Sequence, residues 1–112
     1  MRTTSIGNQG EQLAAEALVR EGYEIIDRNW KTRASEIDII AARGGSMYFI
    51  EVKYRASARQ GDGLDYITDQ KLSHMRRAAE TWVSIYNWQG EYALLAVAVS
   101  GIGNEADIRE IA

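Results

Sequence analysis

Residues 35–55 read SEIDIIAARGGSMYFIEVKYR. Two runs rich in β-branched and aromatic residues flank Gly44-Gly45, and glycine accepts the positive φ that two-residue hairpin turns require. A turn centred there opposes residues whose numbers sum to 89, so Asp38 faces Glu51 and Glu36 faces Lys53. Side chains alternate between faces along a strand. One face therefore carries Glu36, Asp38, Ile40, Phe49, Glu51 and Lys53; the other carries Ile37, Ile39, Ala41, Tyr48, Ile50 and Val52, almost pure core. Opposed side chains sit about 4.5–5.5 Å apart at Cβ, where like charges destabilise a sheet. A slip of one residue would bury the carboxylates, which makes the register firm. A divalent cation shared by Asp38 and Glu51 would relieve their repulsion.

The rest of the chain sets limits on that reading. Its 112 residues suit one domain, 1–112, with one core. Hydrophobic residues make up 46% and charged residues 26%, as in ordinary globular chains. No apolar run approaches the ~20 residues of a membrane span, and MRTTSIGNQGEQ lacks the apolar centre of a signal peptide. Cysteine is absent, which excludes disulfides and thiolate metal sites. A cytoplasmic location fits these features.

The net charge of −3 speaks weakly against nucleic acid, but the charges are unevenly spread. Residues 28–77 hold ten of the thirteen Lys and Arg and only six of the sixteen Asp and Glu. The basic residues cluster as Arg28, Lys31 and Arg33; Lys53, Arg55 and Arg59; Lys71, Arg76 and Arg77. Such asymmetry can build a phosphate-attracting surface on an acidic protein, or it can simply solvate several faces. Arg33, Arg55 and Lys71 are the residues expected to contact nucleic acid.

A pass along the chain gives the order α-β-β-β-α-β, an α/β fold with helices flanking a mixed sheet. Residues 5–21 form a helix with Leu13, Ala14, Ala17 and Leu18 as its apolar stripe, stopped by Gly22. YEIIDRNW is a strand, followed by the hairpin. Thr68 caps a second helix whose stripe is Leu72, Met75, Ala79, Trp82, Val83 and Tyr86. YALLAVAV is a continuous apolar run, as expected of a strand covered on both faces, and ADIREI adds an edge strand. Residues 92–99 and Trp88 suit either the core or an interface between two copies of the chain.

Asp38 and Glu51 offer hard oxygen ligands suited to Mg²⁺ or Mn²⁺. Lys53, one pleat beyond Glu51, could orient a metal-bound water or offset charge on a phosphate, or it could pair with Glu36 across the strands. Glu11 reads equally as a first-turn acid favouring the helix dipole and as an additional ligand for metal or water. His74, the only histidine, falls on the polar side of the second helix. Together these residues are equipment for phosphodiester hydrolysis.

Gly10-Glu11-x-x-Ala14, Gly22-Tyr23, Asn29-Trp30, Glu36-Ile37-Asp38-Ile39-Ile40-Ala41 and Phe49-Ile50-Glu51-Val52-Lys53-x-Arg55 resemble the YraN-like family. Those small bacterial proteins are similar to the PD-(D/E)XK nucleases and to archaeal Holliday-junction resolvases. The resemblance implies a restriction-endonuclease-like core and a catalytic set of Asp38, Glu51 and Lys53. It makes Glu11 the helical acid of a Mg²⁺ or Mn²⁺ site and Lys71 the basic residue that opens the second helix. It further implies a DNA endonuclease, structure-specific for branched DNA and working as a homodimer; a DNA-binding module that does not cut is the alternative. Two positions depart from the family pattern. Ser35 stands where glycine is usual, and Tyr92–Val97 lacks an Arg-Phe-Asp-like segment.

Overall fold

The computed structural model describes residues 6–55, 67–100 and 105–112, excluding the side chains of residues 6–8 and 55. The elements are α1 (Ile6–Arg20), β1 (Glu24–Lys31), β2 (Glu36–Arg43), β3 (Ser46–Arg55), α2 (Asp69–Tyr86), β4 (Tyr92–Ser100) and β5 (Ala106–Glu110). This is the expected α/β order with its edge strand. One sheet of order β1-β2-β3-β4-β5 contains all of these strands. Its pairings are antiparallel except for β3 with β4, which run parallel. A parallel step needs a crossover, and α2 lies within it.

The helices cover opposite faces. On one, Ala14, Ala15 and Leu18 of α1 pack against Ile39, Ile50 and Val97. On the other, Ala78, Ala79 and Trp82 of α2 pack against Ile40, Phe49 and Leu94. Because both faces are covered, β4 is buried from Leu94 to Val99. Those residues are core, and so largely is Trp88, which packs against the α2 cluster and donates from Nε1 to the Glu91 carbonyl at 3.1 Å. Thr68 caps α2 as expected, its Oγ1 accepting from Lys71 N at 3.1 Å. Tyr86 departs from the expected stripe: it is exposed and stacks on Trp82 with ring centroids 4.9 Å apart. No helix among the described residues is long and apolar enough to cross a membrane.

Gly44 and Gly45 have φ of 60° and 84°, the pair of positive values that defines a type I′ turn. The register follows as read, from Arg43↔Ser46 to Ile39↔Ile50. Beyond Ile39↔Ile50 the described β2–β3 pairing stops, so the expected opposition of Asp38 to Glu51 and of Glu36 to Lys53 is not realised as ladder pairs. Glu36 instead pairs with β1, where it sits opposite Lys31 with its carboxylate 3.5 Å from the ammonium.

The pleat also changes face at this level. Ile39 packs under α1, yet Ile37 packs with Trp30 under α2, against strict alternation. On the neighbouring strand Asn29 has φ of 54°, the left-handed region that asparagine tolerates better than most residues. Arg28, before Asn29, reaches Glu11 and Gln12 of α1, while Trp30, after it, joins the α2 cluster. Both strands therefore switch faces together around Asn29 and Asp38.

α1 is held close to this region by a missing side chain. A Cβ on Gly10 would lie 3.0 Å from Cδ1 of Tyr54 near the end of β3. The contact brings the second turn of α1, which carries Glu11, over the opened end of the hairpin. Glu11 thus stands outside the first turn of α1, and its reading as a first-turn acid does not hold.

Candidate functional site

Where β2 and β3 part, a backbone donor on β3 loses its strand partner. A buried N–H needs an acceptor, and Asp38 supplies one: its Oδ2 accepts from Val52 N at 2.8 Å. The bond locks the carboxylate into the gap between the strands. Burial raises the Asp38 pKa to about 6; the Val52 bond opposes that rise, and the charges of Glu51, Glu11 and Glu36 add to it.

Glu51 lies beside it on β3. Its Oε2 is 3.0 Å from Nζ of Lys71, and the two side chains are only 22% and 30% exposed. Lys53 sits one pleat beyond Glu51 and hydrogen-bonds with Lys71. That bond, with burial second, holds the Lys53 ammonium below its ordinary pKa. For Lys71, burial pulls downward, but the bonds to Lys53 and Glu51 prevail and hold it above. The structure thus brings together Asp38, Glu51 and Lys53, and adds Lys71 as the immediate partner of two of them.

Asp38 and Glu51 share one cleft of about 370 Å³, lined also by Ala34, Ser35, Glu36, Lys71, His74, Met75 and Arg77. The β1–β2 loop forms one rim. Thr32 Oγ1 braces it by accepting from the amides of Ala34 and Ser35 at 3.3 and 3.0 Å. Ser35 has an ordinary negative φ, so the loop closes without glycine. The N-terminal half of α2 forms the opposite rim.

Glu11 acts on Asp38 through its negative charge. Its side chain is 15% exposed; among the described residues its ion-pair partner is Arg28 at 3.9 Å, and its buried Oε1 has no hydrogen-bond partner. Arg33 is exposed on the β1–β2 loop. The side chain of Arg55 lies outside the described residues. Lys71, expected to face nucleic acid, turns inward to Glu51. His74 and Arg77 were not expected here; their spacing of three and six residues from Lys71 on one helix is the signal that could have placed them.

The donor set can be compared with what a divalent ion needs. Magnesium takes one or two carboxylates and keeps several waters. Asp38 retains Oδ1 after bonding Val52, and Glu51 shares the cleft, so two hard ligands fit. Among the described residues no group of three or more Asp, Glu or His side chains is placed to hold an ion, and Glu11 is felt at Asp38 through its charge.

The model of the uncharacterised protein family UPF0102 matches residues 10–102. A UPF0102 protein of Cytophaga hutchinsonii is 40% identical over 95 residues, 85% of this chain and 84% of its own. One of Leifsonia xyli is 43% identical over 81 residues, 72% of this chain and 69% of its own. One of Fusobacterium nucleatum is 35% identical over 107 residues, 96% of this chain and 89% of its own. The match takes in Glu11, Asp38, Glu51, Lys53 and Lys71, and the chain belongs to the uncharacterised protein family UPF0102, the YraN-like family that its motifs resemble.

Proposed function

We propose that this protein is a metal-dependent DNA endonuclease that hydrolyses phosphodiester bonds, with branched DNA as its preferred substrate. The observation supporting it most strongly is Asp38, fixed by Val52 beside Glu51 in an open cleft, with Lys53 and Lys71 against them. A purely structural ion pair has no need of two adjacent carboxylates in a cavity. Asp38 and Glu51 would hold the metal, which supplies a Lewis-acidic charge for a phosphate oxygen and a more acidic water.

The other groups take up the remaining tasks. Lys53 Nζ orients the attacking water, whose proton passes to solvent. The bond from water oxygen to phosphorus forms as one phosphorus–oxygen ester bond breaks, and the leaving oxygen takes a proton from solvent. The Lys53 ammonium stands beside the negative phosphate. His74 and Arg77 line the α2 rim and would hold the adjoining backbone.

The test is a panel of linear, single-stranded, flapped and four-way-junction DNA with Mg²⁺ or Mn²⁺, run beside filter binding at two salt concentrations. Metal-dependent cleavage, strongest on junctions and lost in Asp38→Asn, is expected. Binding without cleavage at high protein excess defeats the nuclease reading in favour of a non-cutting DNA-binding module. The ion pair that already occupies Glu51 is the observation that favours that alternative.

A further inference from the structure

We propose that Lys71 is a resident counter-cation that a divalent ion must displace from Glu51, and that metal binding thereby frees its ammonium for a substrate phosphate. The inference rests on the metal site proposed above, and it concerns how this chain keeps that site ready without its metal.

Three observations carry it. The Lys71–Glu51 contact is 3.0 Å between side chains 30% and 22% exposed, whereas the Lys31–Glu36 pair is 3.5 Å between side chains 64% and 60% exposed. Shielding from water strengthens a charge pair, so Lys71 is held in place rather than merely nearby. Its backbone is anchored as well. Lys71 N donates to the cap Thr68 Oγ1, and Leu72 N to the Thr68 carbonyl at 2.9 Å, which fixes the start of α2 over Glu51. The acidic side also needs a cation. Asp38 feels Glu51, Glu11 and Glu36 as like charges, and a nearby positive charge offsets that repulsion.

A divalent ion at Asp38 and Glu51 would meet that need and repel the ammonium. Lys71 lines the open cleft, so its displaced side chain can turn toward the space a phosphate would fill. By linkage, metal and phosphate backbone would then each strengthen binding of the other. The same lysine would stabilise the empty site and serve the loaded one.

The experiment is calorimetric titration of Mn²⁺ into wild type, Lys71→Gln, Lys71→Met, Lys71→Arg and Arg77→Gln, with melting curves with and without Mn²⁺. Arg77 lines the same cleft and carries the same charge, while the ion pair to Glu51 belongs to Lys71. Lys71→Gln and Lys71→Met should bind Mn²⁺ more tightly, by on the order of 3- to 30-fold, the range between an exposed and a shielded ion pair. They should also melt lower without metal and gain more from it. Lys71→Arg should behave like wild type, and Arg77→Gln should change affinity less than about 2-fold.

Equal or weaker Mn²⁺ binding in both neutral Lys71 variants overturns the proposal. So does equal tightening by Arg77→Gln, which would mean diffuse charge rather than a displaced contact. Binding by the neutral variants alone supports it; binding by no protein overturns both it and the proposed metal site. Wild type that binds Mn²⁺ but cuts no DNA refutes only the nuclease reading, and the affinity comparison still decides the role of Lys71.

Discussion

The two ends of the β2–β3 hairpin are built on opposite terms. At the Gly44-Gly45 end, five consecutive pairs from Arg43↔Ser46 to Ile39↔Ile50 hold the two strands in unbroken register. Their side chains fill the two cores, Ile39 and Ile50 under α1, Ile40 and Phe49 under α2. At the other end the pairing stops, the pleat changes face, and the freed Val52 amide is satisfied by a carboxylate. The closed end is stabilised by burial and regular pairing. The open end gives up regularity and gains a polar cleft whose geometry is fixed by the donor that the ladder left over. A sheet can thus generate a chemically active position by ending one pairing early, without a long loop.

Substitutions can break or sharpen this contrast. The largest effect belongs to the closed end. Ile50→Ala, at a side chain 1% exposed, should cost about 2–5 kcal/mol in urea denaturation, equally at pH 4.5 and 7. A cost that varies with pH would mean that the two ends are not independent. At the open end, Lys53→Ala should lower DNA cleavage by ~10²-fold or more, with DNA affinity and stability nearly unchanged. Comparable loss of binding would move Lys53 from chemistry to docking.

Asp38 gives a smaller, pH-dependent effect. Its pKa rises on folding from 3.8 to about 6. Between those values the folded protein holds a proton that the unfolded chain has lost, so the metal-free protein should lose stability as pH rises, by at most ~3 kcal/mol. Asp38→Asn keeps an acceptor for Val52 N–H and should flatten that slope; denaturation at a series of pH values would show it. Smallest of all, Lys31→Gln removes the exposed pair with Glu36 and should cost under ~0.5 kcal/mol. A larger cost would show that the change of face near Asn29 depends on that ion pair.

The closed end was legible in the sequence because its determinants are local. Two glycines define the turn, and alternation defines the faces. The apolar run of β4 and the stripe of α2 were legible for the same reason. Asp38 and Glu51 line one cleft, though not as the ladder pair that the turn and alternation imply. The face change escaped notice because alternation assumes an unbroken pleat, and nothing in the letters Asn29-Trp30 states that φ there is 54°. The partners of Glu36 and Lys71 were missed for a different reason. A long charged side chain reaches whichever opposite charge the docked elements present, and those positions follow from the packing of β1 and α2, not from neighbours in sequence.

The parallel pairing of β3 with β4 has a consequence for the order in which the molecule assembles. The β2–β3 hairpin closes locally, an event of ~1–10 μs in isolated hairpins. Strand β4 begins at Tyr92, long after β3 ends at Arg55, and joining them requires closing a long segment, which is slow on topological grounds. Lys71 travels in that segment. During folding the carboxylates of the hairpin are therefore brought near each other before their counter-charge arrives. Closing the hairpin is therefore the step at which like charges meet, and docking of α2 is the step that supplies their counter-charge.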